Sequence, residues 1–214
     1  GTLVAPEISF DHKDSPPLQD VFSRFAYRYS DTSERLLVQD FSLRIEERVW
    51  PMMRAQAERN TAEDEWSLAV DRLSLDRLRD WLPRFVDHPP MAELITTVSP
   101  QGNVRNLHLS GRGSPTDIDA LQFSALLDQV GIQAYHNAPM LQGISGSISG
   151  SPSAGELRIN NQQWSMQLPH LFPEVWQYDS AQGALNWSWS QDGGLGLHTA
   201  GISVAGEEGK AAVK

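Results

Sequence analysis

The side chains best able to do chemistry in this 214-residue chain are its six histidines, its paired acids and its serines. His12, His88, His108, His136, His170 and His198 are scattered, with no two at the strand or helix spacing that lets imidazoles share a metal ion. There is no cysteine, which removes thiolate ligands, thiol nucleophiles and disulfides together. The acidic pairs Glu46/Glu47, Asp117/Asp119 and Glu207/Glu208 are the raw material of a glycan hydrolase, which needs two carboxylates facing each other across a cleft. Adjacent residues of a regular strand point to opposite faces, however, so Glu46 and Glu47 are not expected to cooperate, and solvated charge is the reading for the pairs. The serines from Ser145 to Ser151 alternate as the polar side of a strand, without the G-x-S-x-G turn that exposes a nucleophile. No Walker-type loop or dinucleotide fingerprint follows a strand. The Asn186-Trp187-Ser188 sequon lies inside a strand pattern rather than a loop. These residues predict no catalytic group, no metal, no cofactor and no enzymatic activity.

Composition narrows the partners. A net charge of -10 and the lack of any Lys/Arg run exclude a basic nucleic-acid footprint. No apolar run approaches the ~20 residues needed to span a bilayer. Gly1 rather than Met opens the chain, without a signal-like segment, and a soluble piece of a longer protein is expected. Of seven tryptophans, Trp164, Trp176, Trp187 and Trp189 fall in the last third, where they would serve as core, as interface anchors or as carbohydrate platforms.

The elements that must position these side chains are mostly strands. Period-two alternation puts Val21, Phe25, Tyr27 and Tyr29 on one face against Arg24 and Arg28, and Phe41, Leu43 and Ile45 against Ser42, Arg44 and Glu46. The same pattern recurs at Trp66–Val70, at Leu107/Leu109, Ile144/Ile148, Leu157/Ile159, Trp164/Met166/Leu168, Leu185/Trp187/Trp189, Leu195/Leu197 and Ile202/Val204. GSPSAG, NNQ and QDGG read as the turns between runs. Two helices interrupt the strands around residues 74–98. Ser74 caps the first, with Leu75, Leu78, Trp81 and Leu82 on one face and Pro83 ending it. Pro90 starts the second, with Met91, Leu94, Ile95 and Val98 on its stripe. Residues 48–64 carry no clear pattern and are left unassigned. The result is a strand block over 1–73, a helical pair over 74–99 and a second strand block over 103–214, resembling an imperfect repeat without a fixed period. So many one-faced strands need a second apolar layer, which two short helices supply only in part. Either the sheet folds over on itself or something apolar completes it.

Several motifs in fixed order carry a resemblance. G-x-S-G-S-x-S-G (Gly143 to Gly150), G-E-L-R-I, L-P-x-L-F-P-E-x-W (Leu168 to Trp176), G-x-L-x-W-x-W (Gly183 to Trp189) and V-A-G-E-E-G (Val204 to Gly209) are similar to the YhdP family of AsmA-like proteins. Upstream, Phe22 to Ile45, DRLSLDRLRDWLP and SPQGNVRNLHL resemble the central portion of the same family, so the likeness covers nearly the whole chain. The resemblance implies a curved antiparallel sheet forming an open groove, β-taco-like, within a long, inner-membrane-anchored envelope protein of Gram-negative bacteria. It implies a periplasmic location, and phospholipid acyl chains as cargo between the inner and outer membranes. It implies further groove segments of the same chain as neighbours, membrane contact through other parts of the parent, and no catalytic residues.

Two expectations follow. In the first, Phe41, Leu43, Ile45, Leu107, Leu109, Ile144, Ile148, Leu157, Ile159, Trp164, Met166, Leu168, Leu185, Trp187 and Trp189 line a concave, incompletely filled apolar groove, with no specific polar hooks on that face. Gly143, Gly146 and Gly150 then either permit tight bending or serve as ordinary turn and bulge glycines. In the second, the same residues close into a dry β core of a non-catalytic structural or interaction module.

Overall fold

The alternation does produce strands, and in the computed structural model they follow one another in a plain meander. The structure describes residues 1–9, 16–85, 89–115, 117, 119–135, 139–169, 172–190, 194–206 and 209–213. The first five strands are β1 (Thr2–Ile8), β2 (Leu18–Ser30), β3 (Ser33–Ile45), β4 (Arg48–Asn60) and β5 (Glu65–Ser74). Helices α1 (Leu75–Phe85) and α2 (Pro89–Val98) come next. The remaining strands are β6 (Gln101–Arg112), β7 (Gln122–Ile132), β8 (Met140–Gly150), β9 (Ala154–Leu168), β10 (Phe172–Ser190), β11 (Gly194–Gly206) and β12 (Gly209–Val213). All lie in one antiparallel sheet in sequence order, with β1 and β12 as its two separate edges, so the sheet is open rather than closed into a barrel. The expected class, mainly β with two short helices, is the class observed.

Several local expectations are corrected. Residues 48–60 form β4, whose pattern is masked because its inward residues include the small Ala55 and Ala57 and because the register shifts between Trp50 and Met53. Asn160, Asn161 and Gln162 are not a turn but continue β9, where Asn161 is almost wholly buried. Glu46 and Glu47 sit in the turn between β3 and β4 rather than on a strand. Helix α1 runs two residues past Pro83, since a proline in the last turn forfeits only the bond to the Arg79 carbonyl. Helix α2 starts at Pro89, one residue before the expected position. The side chains of Trp81, Leu82, Met91 and Leu94 and most of QDGG lie outside the described residues.

The sheet is bent by a series of bulges. Asp20, Asp40, Asn106, Gln129 and Gln163 have φ of 49, 53, 50, 54 and 56°, the left-handed region, which Asp and Asn tolerate better than other non-glycine residues. Register shifts accompany them between β2 and β3, β3 and β4, β6 and β7, and β7 and β8. Each extra residue bends its strand and adds twist. It also moves the alternation by one, which keeps Val38 and Phe41, for example, on the same face. Neighbouring strands brace the bulges: Asp40 pairs with Arg24, Asp20 with Arg44 at 2.7 Å, and Asp71 accepts the Arg54 N–H at 2.8 Å. Across β7, β8 and β9, the Ser145 hydroxyl accepts the Gln129 N–H at 3.1 Å, and Asn161 Oδ1 accepts the Ser145 N–H at 2.5 Å.

The tightest core sits at the β1–β5 end, where Val21, Leu43, Ile45 and Trp50 pack with Ala5, Ile8, Leu18, Phe41, Met53 and Leu73. The helices close that end of the strands. Asp76 of α1 accepts the Gly102 N–H at 2.9 Å, Arg48 bonds Asp80 at 2.5 Å, and the Val98 carbonyl accepts the Gln133 N–H at 2.7 Å. Leu43 is 2 % exposed. Leu43→Ala is therefore expected to cost about 3 kcal/mol in urea unfolding, the usual cost of a leucine-sized core cavity.

Candidate functional site

The register aligns apolar residues into a band that crosses most of the sheet. Tyr27, Leu36, Ala57, Leu68, Leu109, Phe123, Gly150, Gly155, Trp187 and Leu197 are successive cross-strand partners from β2 to β11. A second row runs Phe25, Val38, Ala55, Val70, Leu107 over β2–β6. It is met on the other half by Ala125, Ile148, Leu157, Leu185, Thr199 over β7–β11. A third row runs Leu127, Gly146, Ile159, Gly183, Ile202 over β7–β11. With every strand in one sheet, no second sheet covers this face among the described residues, and α1 packs chiefly against α2, β6 and β5. Yet Val70 and Ala125 are only 9 % and 8 % exposed. A flat uncovered face would leave both far more open; the bend at the bulges folds the face toward itself.

Aromatic rings floor this face where side chains are missing. The Trp187 indole lies over Gly155, where a Cβ would overlap its six-membered ring, and stacks on Phe123 of β7 at 6.1 Å and 6°. Its Nε1 donates to the Ser151 carbonyl at 3.3 Å. One ring thus spans the two strands, β8 and β9, whose partners in that row are glycines. Trp66 repeats the arrangement over Gly111. Further along β9, Trp164 stacks on Tyr178 at 4.6 Å.

Seven of the residues singled out in the sequence, Leu107, Leu109, Ile148, Leu157, Ile159, Leu185 and Trp187, stand in these rows and are half-buried. Ile144, beside them on β8 and opposite Val130, is buried. Phe41, Leu43 and Ile45 lie in the packed cluster at the β1–β5 end. Trp164, Met166 and Leu168 lie beyond the Gln163 bulge, opposite Tyr178, Trp176 and Phe172. Trp189 faces Leu195 and is 58 % exposed. Tyr27 and Leu197, read from the sequence as apolar strand-face residues but not as groove lining, also belong to the band, as do Leu36 and Phe123, for which the Phe123-Ala125-Leu127 alternation is the available signal in β7. The face is not built from apolar groups alone, although its polar atoms are buried beneath it. Asn161 stands on it beside Ala181, with its Nδ2 buried and unpartnered, and the Trp66 and Trp164 Nε1 atoms are likewise buried without partners.

A separate cavity of about 920 Å³ lies at the rim formed by the β2–β3, β4–β5 and β6–β7 connections, lined by residues of the opposite, polar face together with Glu34, Arg59, Trp66 and Gly111 of the row beside the band. None of the residues expected to line a groove contributes to it. Arg112 there donates twice to Glu65, at 2.7 and 3.0 Å, and that hydrogen bond, with the Glu65 charge, raises an already high guanidinium pKa.

Catalytic arrangements do not assemble among the described residues. His108 and His198 are exposed on different strands, and the other four histidines lie outside the described residues. Ser149 and His198 share a polar row through Glu156 and Asn186, but three strand spacings put them about 14 Å apart, too far for a nucleophile and its base. Asp117 accepts the Asp119 N–H at 3.1 Å, a local turn. Glu207 and Glu208 are not described. No group of three metal-ligating side chains and no helix long and apolar enough to cross a membrane occurs among the described residues.

Comparison with protein families shows that the model of the family described as YhdP protein matches residues 9–211. No curated protein and no solved structure matches the chain.

Proposed function

The chain belongs to the YhdP protein family, and from that premise we propose that it is one segment of a lipid conduit, carrying phospholipids between the inner and outer membranes through its apolar groove. The observation that carries the reading is the apolar band: aligned residues across ten strands, flanked by half-buried rows and covered by no second sheet among the described residues. Exposing acyl chains to water costs about 0.8 kcal/mol per CH₂, so a two-tailed lipid crossing bare faces a barrier on the order of 20 kcal/mol. A continuous apolar wall removes most of it. Twelve strands at ~4.8 Å spacing give roughly 50 Å of wall, a fraction of an envelope crossing. Neighbouring segments of the same long chain, docking on the free edges of β1 and β12, continue the wall, and an anchor elsewhere in the parent holds it at the inner membrane in the periplasm. The segment performs no chemistry; its work is to keep tails dry while letting them slide.

Native mass spectrometry of the purified, undetergented protein tests this. Phospholipid adducts are expected, and photocrosslinkers at positions 157 and 187 should label lipid in cells. The interlocked cluster around Leu43 favours a second reading, in which the whole face closes as the dry core of an interaction module. A bare apo mass, with crosslinks to protein alone, would establish that reading instead.

A further inference from the structure

The rim cavity has a composition at odds with the rest of the molecule. Its walls carry four arginines, Arg28, Arg35, Arg59 and Arg112, against three glutamates, Glu34, Glu58 and Glu65, an excess of one positive charge in a chain of net charge -10. Its floor is a single register row: Arg28, Arg35, Glu58, Ser67, Ser110 and Gln122 are successive partners from β2 to β7. Directly opposed side chains of an antiparallel pair have Cβ atoms about 5 Å apart, where like charges repel. Arg28 and Arg35 are such a pair. Arg35 is held by Glu58 at 2.5 Å and Arg112 by Glu65 at 2.7 Å, whereas Arg28 has no ion pair among the described residues. A cavity of about 920 Å³ is at the upper end of the size that takes a small molecule.

We infer that this cavity binds a phosphate ester, with the oxyanion between Arg28 and Arg35 and the rest of the ligand along Ser67, Ser110 and Gln122. A guanidinium matches phosphate with two parallel N–H donors, and a charge-assisted pair of that kind turns the Arg28/Arg35 repulsion into attraction. The serine hydroxyls and the Gln122 amide supply neutral donors and acceptors for a hydroxylated remainder, and Glu58 and Glu65 accept from its hydroxyl or ammonium groups. The source is either a soluble phosphate ester or the headgroup of a lipid reaching over the rim. Because Arg28 and Arg35 alternate with Tyr27 and Leu36 of the apolar band and so stand on the opposite face, the inference does not depend on lipid filling that band.

Isothermal titration with glycerol 3-phosphate, and sedimentation with phosphatidylglycerol vesicles, separate the sources. Saturable binding of glycerol 3-phosphate that weakens at least tenfold in Arg28→Gln identifies a soluble ester. Binding to vesicles alone, lost to the same degree in Arg28→Gln, identifies a headgroup. Arg28 is exposed and opposed by a like charge, so the variant should melt no lower than the parent protein, and Glu156→Gln, in a polar row away from the cavity, should leave the binding intact. Binding unchanged by Arg28→Gln, or no saturable binding of either probe, overturns the inference.

Discussion

Leu157→Asp is expected to reduce the phospholipid that co-purifies with the protein at least tenfold while the sheet stays folded. Leu157 stands mid-row between Ile148 and Leu185, half-buried, on the face that no second sheet covers among the described residues. A carboxylate placed there must either ionise among acyl chains or take up a proton. Either route costs more than about 1.4 kcal/mol of lipid affinity, which is a factor of ten. The same substitution at a half-open position costs the apo protein little, because the carboxylate is wetted when lipid is absent. Glu156→Gln is the matched control: its side chain lies on the opposite face, in the row of Ser149 and Asn186. Lipid is quantified by extraction and mass spectrometry, and folding by circular dichroism and thermal melting. Equal lipid in Leu157→Asp and Glu156→Gln would remove the apolar face from the transport path. Leu43→Ala has the converse profile, lower stability with lipid retained, because Leu43 belongs to the packed cluster.

How much of this was legible in the sequence depends on whether a feature lies along one strand or across several. Alternation runs along a strand, so Trp66-Leu68-Val70 or Leu185-Trp187-Trp189 could be assigned from their own residues. Where a bulge shifts the alternation, the signal failed. The alternation of β4 is obscured because the register slips between Trp50 and Met53, and Asn160-Asn161-Gln162 reads as a turn because the strand is deformed at Gln163. Polarity misled in the same place: Asn161 is buried because its Oδ1 closes the chain from Gln129 through Ser145, a contact across three strands that no local pattern encodes. The apolar band was foreseen in its members from the middle of β6 and from β8 to β10, but not as a row, since register is set by turns and bulges together. The rim cavity was invisible for that reason. Arg28, Glu58 and Ser110 are ordinary outward residues of three strands until pairing sets them side by side.

The two ends of the strands also divide the labour. At the helix-capped end, interlocked side chains around Leu43 fix the sheet; at the far end Leu36, Tyr27 and Leu197 are 38, 59 and 57 % exposed. A sheet pinned along one rim and open along the other keeps its curvature without a second layer. That places the burden of shape on the backbone in between, where glycines replace side chains.

Gly146→Val is accordingly expected to be the most damaging single substitution in the sheet, lowering stability by about 4 kcal/mol or preventing folding. Gly146 has φ of 155°, a conformation an L side chain rarely adopts, and a Cβ there would overlap the Arg158 carbonyl oxygen of β9. The obstacle is backbone, not the end of a side chain that can swing aside, so β8 and β9 must separate. Separation at that point breaks the pairing of Gly146 with Ile159 and loosens the hydrogen bond from Ser145 to Asn161, leaving a buried amide with neither of its groups satisfied. The consequence spreads because all the described strands belong to one sheet, whose halves are joined through β8 and β9. Gly194, which has no heavy atom near its would-be Cβ, serves as the contrast, although its φ of 71° also favours glycine. Gly194→Asn should lose less than about 1 kcal/mol, since asparagine tolerates that backbone region. Urea unfolding followed by tryptophan fluorescence measures both. A Gly146→Val protein as stable as the Gly194→Asn protein would mean that close strand approach at β8–β9 does not shape the sheet.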